Sequence, residues 1–444
     1  MADARFQDWT SLCEAERRRE MAACRGRLDE VGPALNAVVQ LAGPREADST
    51  SGPLAGLPYA AKDMLDRADR ASGWGGVRPN GTPGGVTAGV LQQLDAAGAV
   101  ELAVSAMTEL AYEPSGYNAQ RGRTLNPWHP DVVSGGSSSG SAALVACGAV
   151  VLGIGSDTGG SVRIPASCCG ITGLKPTGGA ERDPAVMPLA PSMDTIGFMA
   201  RSAAELAMVL PVVCPETGAS PAEPFGRAAI LVDRVEEASA GVQRAFAAGV
   251  EALRATGVRP GAVRLGDLFG EIDGHALTVM QAESARAHAA PSAEELRISS
   301  TLKRRLAKGF EIDDAALADS LAARAGLAEA FFARLGGAEL ALLPVMPLET
   351  PLASQADPTS ADFQPRVLYA MSRFTRFVNF LQLPALSVPC GFDGRGVPIG
   401  LQMIGPPGSE ARLLATAARL QWATAWHGRC PPALARSHPQ SPES

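Results

Sequence analysis

The chain has 444 residues, 46% of them hydrophobic and 19% charged. That length can bury a large core without disulfide or metal staples, which excludes a disordered tail and a small stapled scaffold. A formal net charge of −7 offers no general field for a phosphate backbone, so nucleic-acid binding is not expected. In chain order, residues 3–30 carry Phe6, Trp9, Leu12, Ala15 and Met21 at helical spacing among mixed charges, which predicts an amphipathic helix or helix pair. Asn36–Val39 reads as a short strand. The Gly- and Pro-rich stretch 52–58 leads into Tyr59-Ala60-Ala61-Lys62-Asp63. A helix over 86–98 and a strand over 99–103 follow.

Asn126-Pro127-Trp128-His129-Pro130 forms a rigid turn. Gly135–Gly140 opens a small-residue helix over 141–149, and 150–155 is a buried strand with a tight loop, 156–161, at its end. The apolar run 142–155 is too short to span a bilayer and suits a buried helix running into a buried strand, so no membrane is expected. Residues 178–192 read as irregular, 225–335 as Ala- and Arg-rich helices, and 343–365 as a loop. Strands return at 384–389 and 397–404, then a helix over 408–424 and a frayed tail. The alternation predicts an α/β fold: one large domain with a twisted mixed sheet covered by helices on both faces.

Eight cysteines, Cys13, Cys24, Cys147, Cys168, Cys169, Cys214, Cys390 and Cys430, form no CxxC pair. No basic stretch followed by an apolar one opens the chain, so free thiols in a cytoplasmic protein are expected. The five histidines, His129, His275, His288, His427 and His438, show no metal-site spacing and are expected at the surface. If the chain is a hydrolase, its base is expected to be a residue other than histidine.

The chemistry concentrates in 135–178. Two Gly-Gly-Ser units end at Ser137 and Ser161, flanking a helix and a buried strand. Glycine-rich loops beside helix starts can cradle phosphate, but neither loop ends as a P-loop does. A single such loop would be read as a turn with a capping serine. Two of them, with Lys62-Asp63 closing an apolar strand upstream, point further.

These segments resemble the amidase signature family. The resemblance is carried over 52–202 by Gly56-Leu-Pro-Tyr-Ala-Ala-Lys-Asp, Asn126-Pro-Trp, the 135–142 loop, Asp157-Thr-Gly-Gly-Ser-Val-Arg-Ile-Pro-Ala, Gly173-Leu-Lys-Pro-Thr and Asp194-Thr-Ile-Gly. A second match covers 383–389 and 398–406. The resemblance divides the domain into an N-terminal helical segment (1–45), the signature core (52–202), a variable helical region tied to substrate choice (203–375) and a return to the core sheet (376–428).

The resemblance implies a catalytic triad of Ser161 as nucleophile, Ser137 as bridging serine and Lys62 as base, with a cis peptide at Gly136–Ser137 and no metal or cofactor. A serine needs an adjacent base to attack. Lys62 serves only when neutral, and bringing an ordinary lysine down to near 7 takes about 4 kcal/mol of differential stabilisation, which burial can supply. The backbone N–H groups of Thr158, Gly159, Gly160 and Ser161 suit an oxyanion hole. Asp157 and Arg163 read as a structural ion pair fixing that loop. Ser138, Ser139 and Thr177 read as capping or supporting groups. Cys168 and Cys169 read as packing, and Lys175 is a rival base.

The expected activity is hydrolysis of a linear carboxylic amide through an acyl-enzyme, releasing ammonia or an amine. The expected partner is a small-molecule amide, and a homodimer is left open. One rival is the glutaminase component of a tRNA-dependent amidotransferase, which uses the same site within a larger complex. It is disfavoured because the run after Lys175-Pro-Thr is Gly178-Gly-Ala-Glu-Arg-Asp-Pro rather than a Tyr-Gly-Arg-Val-Ser-Arg-like sequence. Another rival is a catalytically silent binding protein. Pocket segments are sought at 104–118, 185–194 and 343–382. Met107, Tyr112, Tyr117, Met187, Met193, Tyr369 and Phe377 are more readily core than lining. Arg121, Arg123, Arg373 and Arg376 could receive a substrate carboxylate, though exposure is the plainer reading of each.

Overall fold

A computed structural model describes residues 9–43, 51–78, 83–178, 183–217, 222–289 and 296–432. The readings placed on 1–6, 179–182, His438 and the tail beyond 432 lie outside them. Eleven described strands form one sheet: β1 (Val38–Leu41), β2 (Pro58–Lys62), β3 (Val100–Ser105), β4 (Leu152–Ser156), β5 (Thr172–Lys175), β6 (Ile196–Ala200), β7 (Arg227–Leu231), β8 (Arg259–Val263), β9 (Leu340–Pro344), β10 (Ala385–Phe392) and β11 (Pro398–Ile404). Their order across the sheet is β1-β3-β2-β4-β6-β5-β10-β11-β9-β7-β8. β2 runs parallel to both β3 and β4, and β7 parallel to β8 and β9. The other pairs are antiparallel, so the sheet is mixed.

Every residue of β2 and β4 is buried, as a sheet covered on both faces requires. Tyr59 and Ala61 pack into one apolar cluster and Ala60 into another, which is the alternation of strand side chains. The helix Ser139–Ala146 is buried along its whole length. It lies so close to its neighbours that a Cβ on Gly140 would sit 2.4 Å from both Ala106 N and Ala37 O. Its small side chains are what permit that approach.

The N-terminal amphipathic segment contains the helix Glu14–Ala34. The reading of 225–335 as helices needs correction, because β7 and β8 lie within it. Residues 343–365 are likewise not all loop, because β9 ends at Pro344. Leu- and Ala-rich sequence serves a buried strand as well as a helix, and pairing with neighbouring strands decides between them. No described helix is long and apolar enough to cross a membrane.

Candidate active site

β2 and β4 are parallel neighbours with Ala61 opposite Ile154, so their carboxyl ends lie side by side. Lys62 closes one and Ser156 the other. Lys62 is wholly buried, and its Nζ donates to Ser137 Oγ at 2.7 Å and to Ser156 Oγ at 2.9 Å. The Gly136–Ser137 peptide is cis. Burial lowers the Lys62 pKa to about 7, against the pull of Asp157 and Asp194, which favour its charged form. Lys62 is thus a buried amine whose neutral form is accessible near neutral pH.

The second serine loop comes from the end of β4. Ser138 N donates to Ser161 O at 3.2 Å, which holds the two loops together. Ser161 is half-buried, whereas Ser137 is fully enclosed. Asp157 organises the turn by accepting from Gly160 N (2.8 Å), Val162 N (3.1 Å) and the Arg163 side chain. Burial alone would raise its carboxyl, but Arg163 outweighs that cost, and the group titrates below the usual carboxylate range.

The expected oxyanion hole changes in one member. Gly160 N–H is taken by Asp157, which leaves the N–H groups of Thr158, Gly159 and Ser161 without a hydrogen bond among the described residues. Gly160 serves the loop differently. Its φ is +122°, and a Cβ there would lie 2.2 Å from Thr375 Oγ1. Thr375 Oγ1 donates to Gly159 O at 2.6 Å.

Arg163 extends the brace across the sheet. Besides Asp157 it reaches Gln402 Oε1 and Asn379 Oδ1, both at 2.5 Å, and Thr375 O at 3.1 Å. Asn379 Nδ2 donates to Asp157 Oδ1 at 2.9 Å. Asn379, Thr375 and Ser156 carried no signal that set them apart, and Gln402 lies within the matching segment 398–406 but with no role implied for it.

The rival groups lie elsewhere. Lys175 Nζ donates to Pro176 O at 2.6 Å and to neither loop serine, although burial lowers it to about 7 as well. Burial pushes the Cys168 thiol up to about 12 and Cys169 well above its usual value, so both are inert packing. Ser138 Oγ donates to Ser156 O, Ser139 pairs with Thr124, and Thr177 donates to Glu410. Two of the four described histidines depart from expectation. His288 is buried against Trp74, and His275 stacks on Phe380 and pairs with Ser320. Met107, Met187, Met193 and Phe377 are core, while Tyr112 and Tyr117 are half-buried and Tyr369 is exposed. Among the described residues, no group of three His, Cys, Asp or Glu side chains could hold a metal ion.

The amidase family profile matches residues 32–414. The chain belongs to the amidase signature family. It is therefore an enzyme of the amide C–N bond. It is 32% identical to the A-type subunit of the glutamyl-tRNA(Gln) amidotransferase of Deinococcus radiodurans, covering 83% of this chain and 84% of that one. Its fold matches the crystal structure of an amidase with a TM-score of 0.80 at 26% identity, over 91% of this chain and 96% of that one. It also matches 6-aminohexanoate cyclic dimer hydrolase complexed with substrate, with a TM-score of 0.80 at 25% identity, over 94% and 96% of the two chains.

Proposed function

We propose that this amidase signature enzyme hydrolyses a linear carboxylic amide through an acyl-enzyme on Ser161. The observation that carries the reading is the buried Lys62 amine, 2.7 Å from Ser137 Oγ, with a pKa of about 7. Ser161 Oγ attacks the carbonyl carbon and passes its proton through Ser137 to neutral Lys62. The N–H groups of Thr158, Gly159 and Ser161 receive the developing oxyanion. Lys62 returns the proton through Ser137 to the leaving nitrogen, and the C–N bond breaks. Water then attacks the acyl ester and restores Ser161.

The experiment is labelling with a serine-reactive fluorophosphonate, read by intact mass and peptide mapping. The adduct should map to Ser161 and vanish in Ser161→Ala. In Ser137→Ala it should form more slowly, by roughly 10²–10⁴-fold as for a lost acid–base group. An adduct on Ser137, or one persisting in Ser161→Ala, overturns the assignment.

A second reading uses the same site as the glutaminase component of a tRNA-dependent amidotransferase. The names of the curated relatives favour it over a free-standing amidase, with one such protein, from Methylococcus capsulatus, 32% identical over 92% of this chain. The run after Lys175-Pro-Thr weighs the other way. Ammonia release from free glutamine, together with co-purification of partner proteins, supports the second reading. Turnover of simple amides by the isolated chain supports the first. A cytoplasmic setting agrees with the eight free cysteines.

A further inference from the structure

Arg376 lies within electrostatic reach of two other arginines, Arg234 and Arg373, which share two carboxylates. Arg234 bonds both Asp273 and Glu237, and Arg373 bonds Glu237 at 2.6 Å. Arg376 has no carboxylate within ion-pair distance among the described residues. Its Nε is buried with no hydrogen-bond partner, and its Nη1 reaches only Ser372 Oγ at a long 3.4 Å. Arg376 is therefore not the exposed residue that its sequence context suggested.

Its place is specific. Arg376 opens the short helix Arg376–Phe380, directly after the Thr375 that clasps Gly159. Its Cβ and Cγ lie 3.8 Å from where a Cβ on Gly159 would stand. Gly159 adds no side chain between that arginine and the loop that ends at Ser161. The nearby Arg305 is engaged differently, stacked over the rings of Tyr112 and Tyr369.

Arg376 is half-buried, with the Asp273 carboxylate acting on it from beyond ion-pair distance, and a partly desolvated charge of this kind is costly unless something supplies a closer counter-charge. The planar guanidinium fork matches a carboxylate better than any other small anion a substrate amide commonly carries. Resting on the reading of Ser161 as nucleophile, we propose that Arg376 is a specificity-determining residue that binds a carboxylate on the substrate, so that the enzyme selects amides bearing a second, anionic group. The carboxylate can sit on the acyl side, as in half-amides of dicarboxylic acids and in glutamine, or on the amine side, as in N-acyl amino acids.

The test compares kcat/KM for succinamate, glutaramate, glutamine, N-acetylglycine and the neutral butyramide. The best anionic amide should exceed butyramide, and the arm it comes from identifies the side of the scissile bond. In Arg376→Gln that ratio should collapse by about 10- to 100-fold through KM, the usual worth of a hydrogen bond to a charged group. Arg376→Lys should recover part of it. Arg373→Gln, at an exposed pair, serves as the control and should keep the ratio. Because a half-buried charge without an ion-pair partner is removed, Arg376→Gln should melt no lower than the parent. A lower melting temperature with an unchanged ratio makes Arg376 structural and overturns the proposal, as does a wild type that prefers butyramide. In parallel, succinate or glutarate should protect Ser161 from fluorophosphonate in the parent and not in Arg376→Gln. Failure of Ser161 to label at all is a distinct result and brings down the nucleophile assignment instead.

Discussion

Asp157 and Arg163, both wholly buried, meet through a two-pronged contact, 3.0 Å from Nε and 2.8 Å from Nη2. The pair sits directly behind the Ser161 turn. Asp157 carries three backbone N–H groups of that turn besides the guanidinium, so the same carboxylate fixes both the loop's shape and its anchor.

Breaking this pair from one side leaves an uncompensated buried charge. Arg163→Met should therefore cost about 3–5 kcal/mol of stability. The double variant Asp157→Asn/Arg163→Met should recover part of that loss, since contacting residues are not additive. Urea denaturation of the parent, both single variants and the double variant checks this. The pH dependence has a definite sign. Asp157 titrates lower folded than unfolded, so its contribution is complete above pH ~4 and is lost as pH falls through its depressed folded pKa. Asp157→Asn should flatten the stability profile in that acid window.

Gly160 and Gly159 should respond differently to alanine. At Gly160 the new Cβ meets Thr375 Oγ1 at 2.2 Å and Ile164 Cδ1 at 2.7 Å, at a positive φ. A loss of about 1–3 kcal/mol is expected from overpacking and strain. At Gly159 the nearest atom is Met280 Sδ at 3.4 Å, and stability should change by less than about 1 kcal/mol. Thermal melts of the two variants read the contrast.

Activity should fall on the acid side with an apparent pKa near 7, as Lys62 takes up a proton and can no longer accept one. Two other buried groups are poised near the same value. Lys175 is lowered to about 7 and Glu113 raised to about 7, each chiefly by burial. The kcat/KM profiles of Lys175→Met and Glu113→Gln should keep the acid limb. Lys62→Met should lose roughly 10²–10⁴-fold in rate together with the limb. A limb that persists unchanged in Lys62→Met removes Lys62 from the base role.

Ser156 offers the subtler test. Its Oγ accepts from Lys62 at 2.9 Å, which orients the amine toward Ser137 and favours its charged form. Ser156→Ala should lower kcat by roughly tenfold, in line with one lost hydrogen bond to a charged group, and shift the acid limb downward. A pH–rate series on the variant checks both.

Much of this candidate site is legible in the sequence. Lys62 closes an apolar strand, and Ser137 and Ser161 each end a Gly-Gly-Ser unit, so all three stand out as residue types in unusual company. The mixed sheet was legible for the same reason, since buried strands such as β4 and β10 are short apolar runs between turn residues. Ser156 did not stand out because a serine at a strand end has no signature. The fate of Gly160 N–H was hidden too. A glycine-rich turn announces available donors, but only the folded path decides which of them Asp157 takes. β7 and β9 were obscured because alanine and leucine suit either periodicity until a neighbouring strand selects one.

The clasp made by Arg163 carries a consequence for how the enzyme comes into being. Its partners Thr375, Asn379 and Gln402 lie more than 200 residues downstream, and Gln402 sits on β11, beyond the single β5–β10 seam that joins the two halves of the sheet. While the ribosome has released only the first half, Lys62, both loop serines and the local Asp157–Arg163 pair already exist, but the contacts of Arg163 with Thr375, Asn379 and Gln402 do not. The turn therefore gains its full set of braces only once β11 has been made, so the two halves of the chain must meet before Arg163 is fully held.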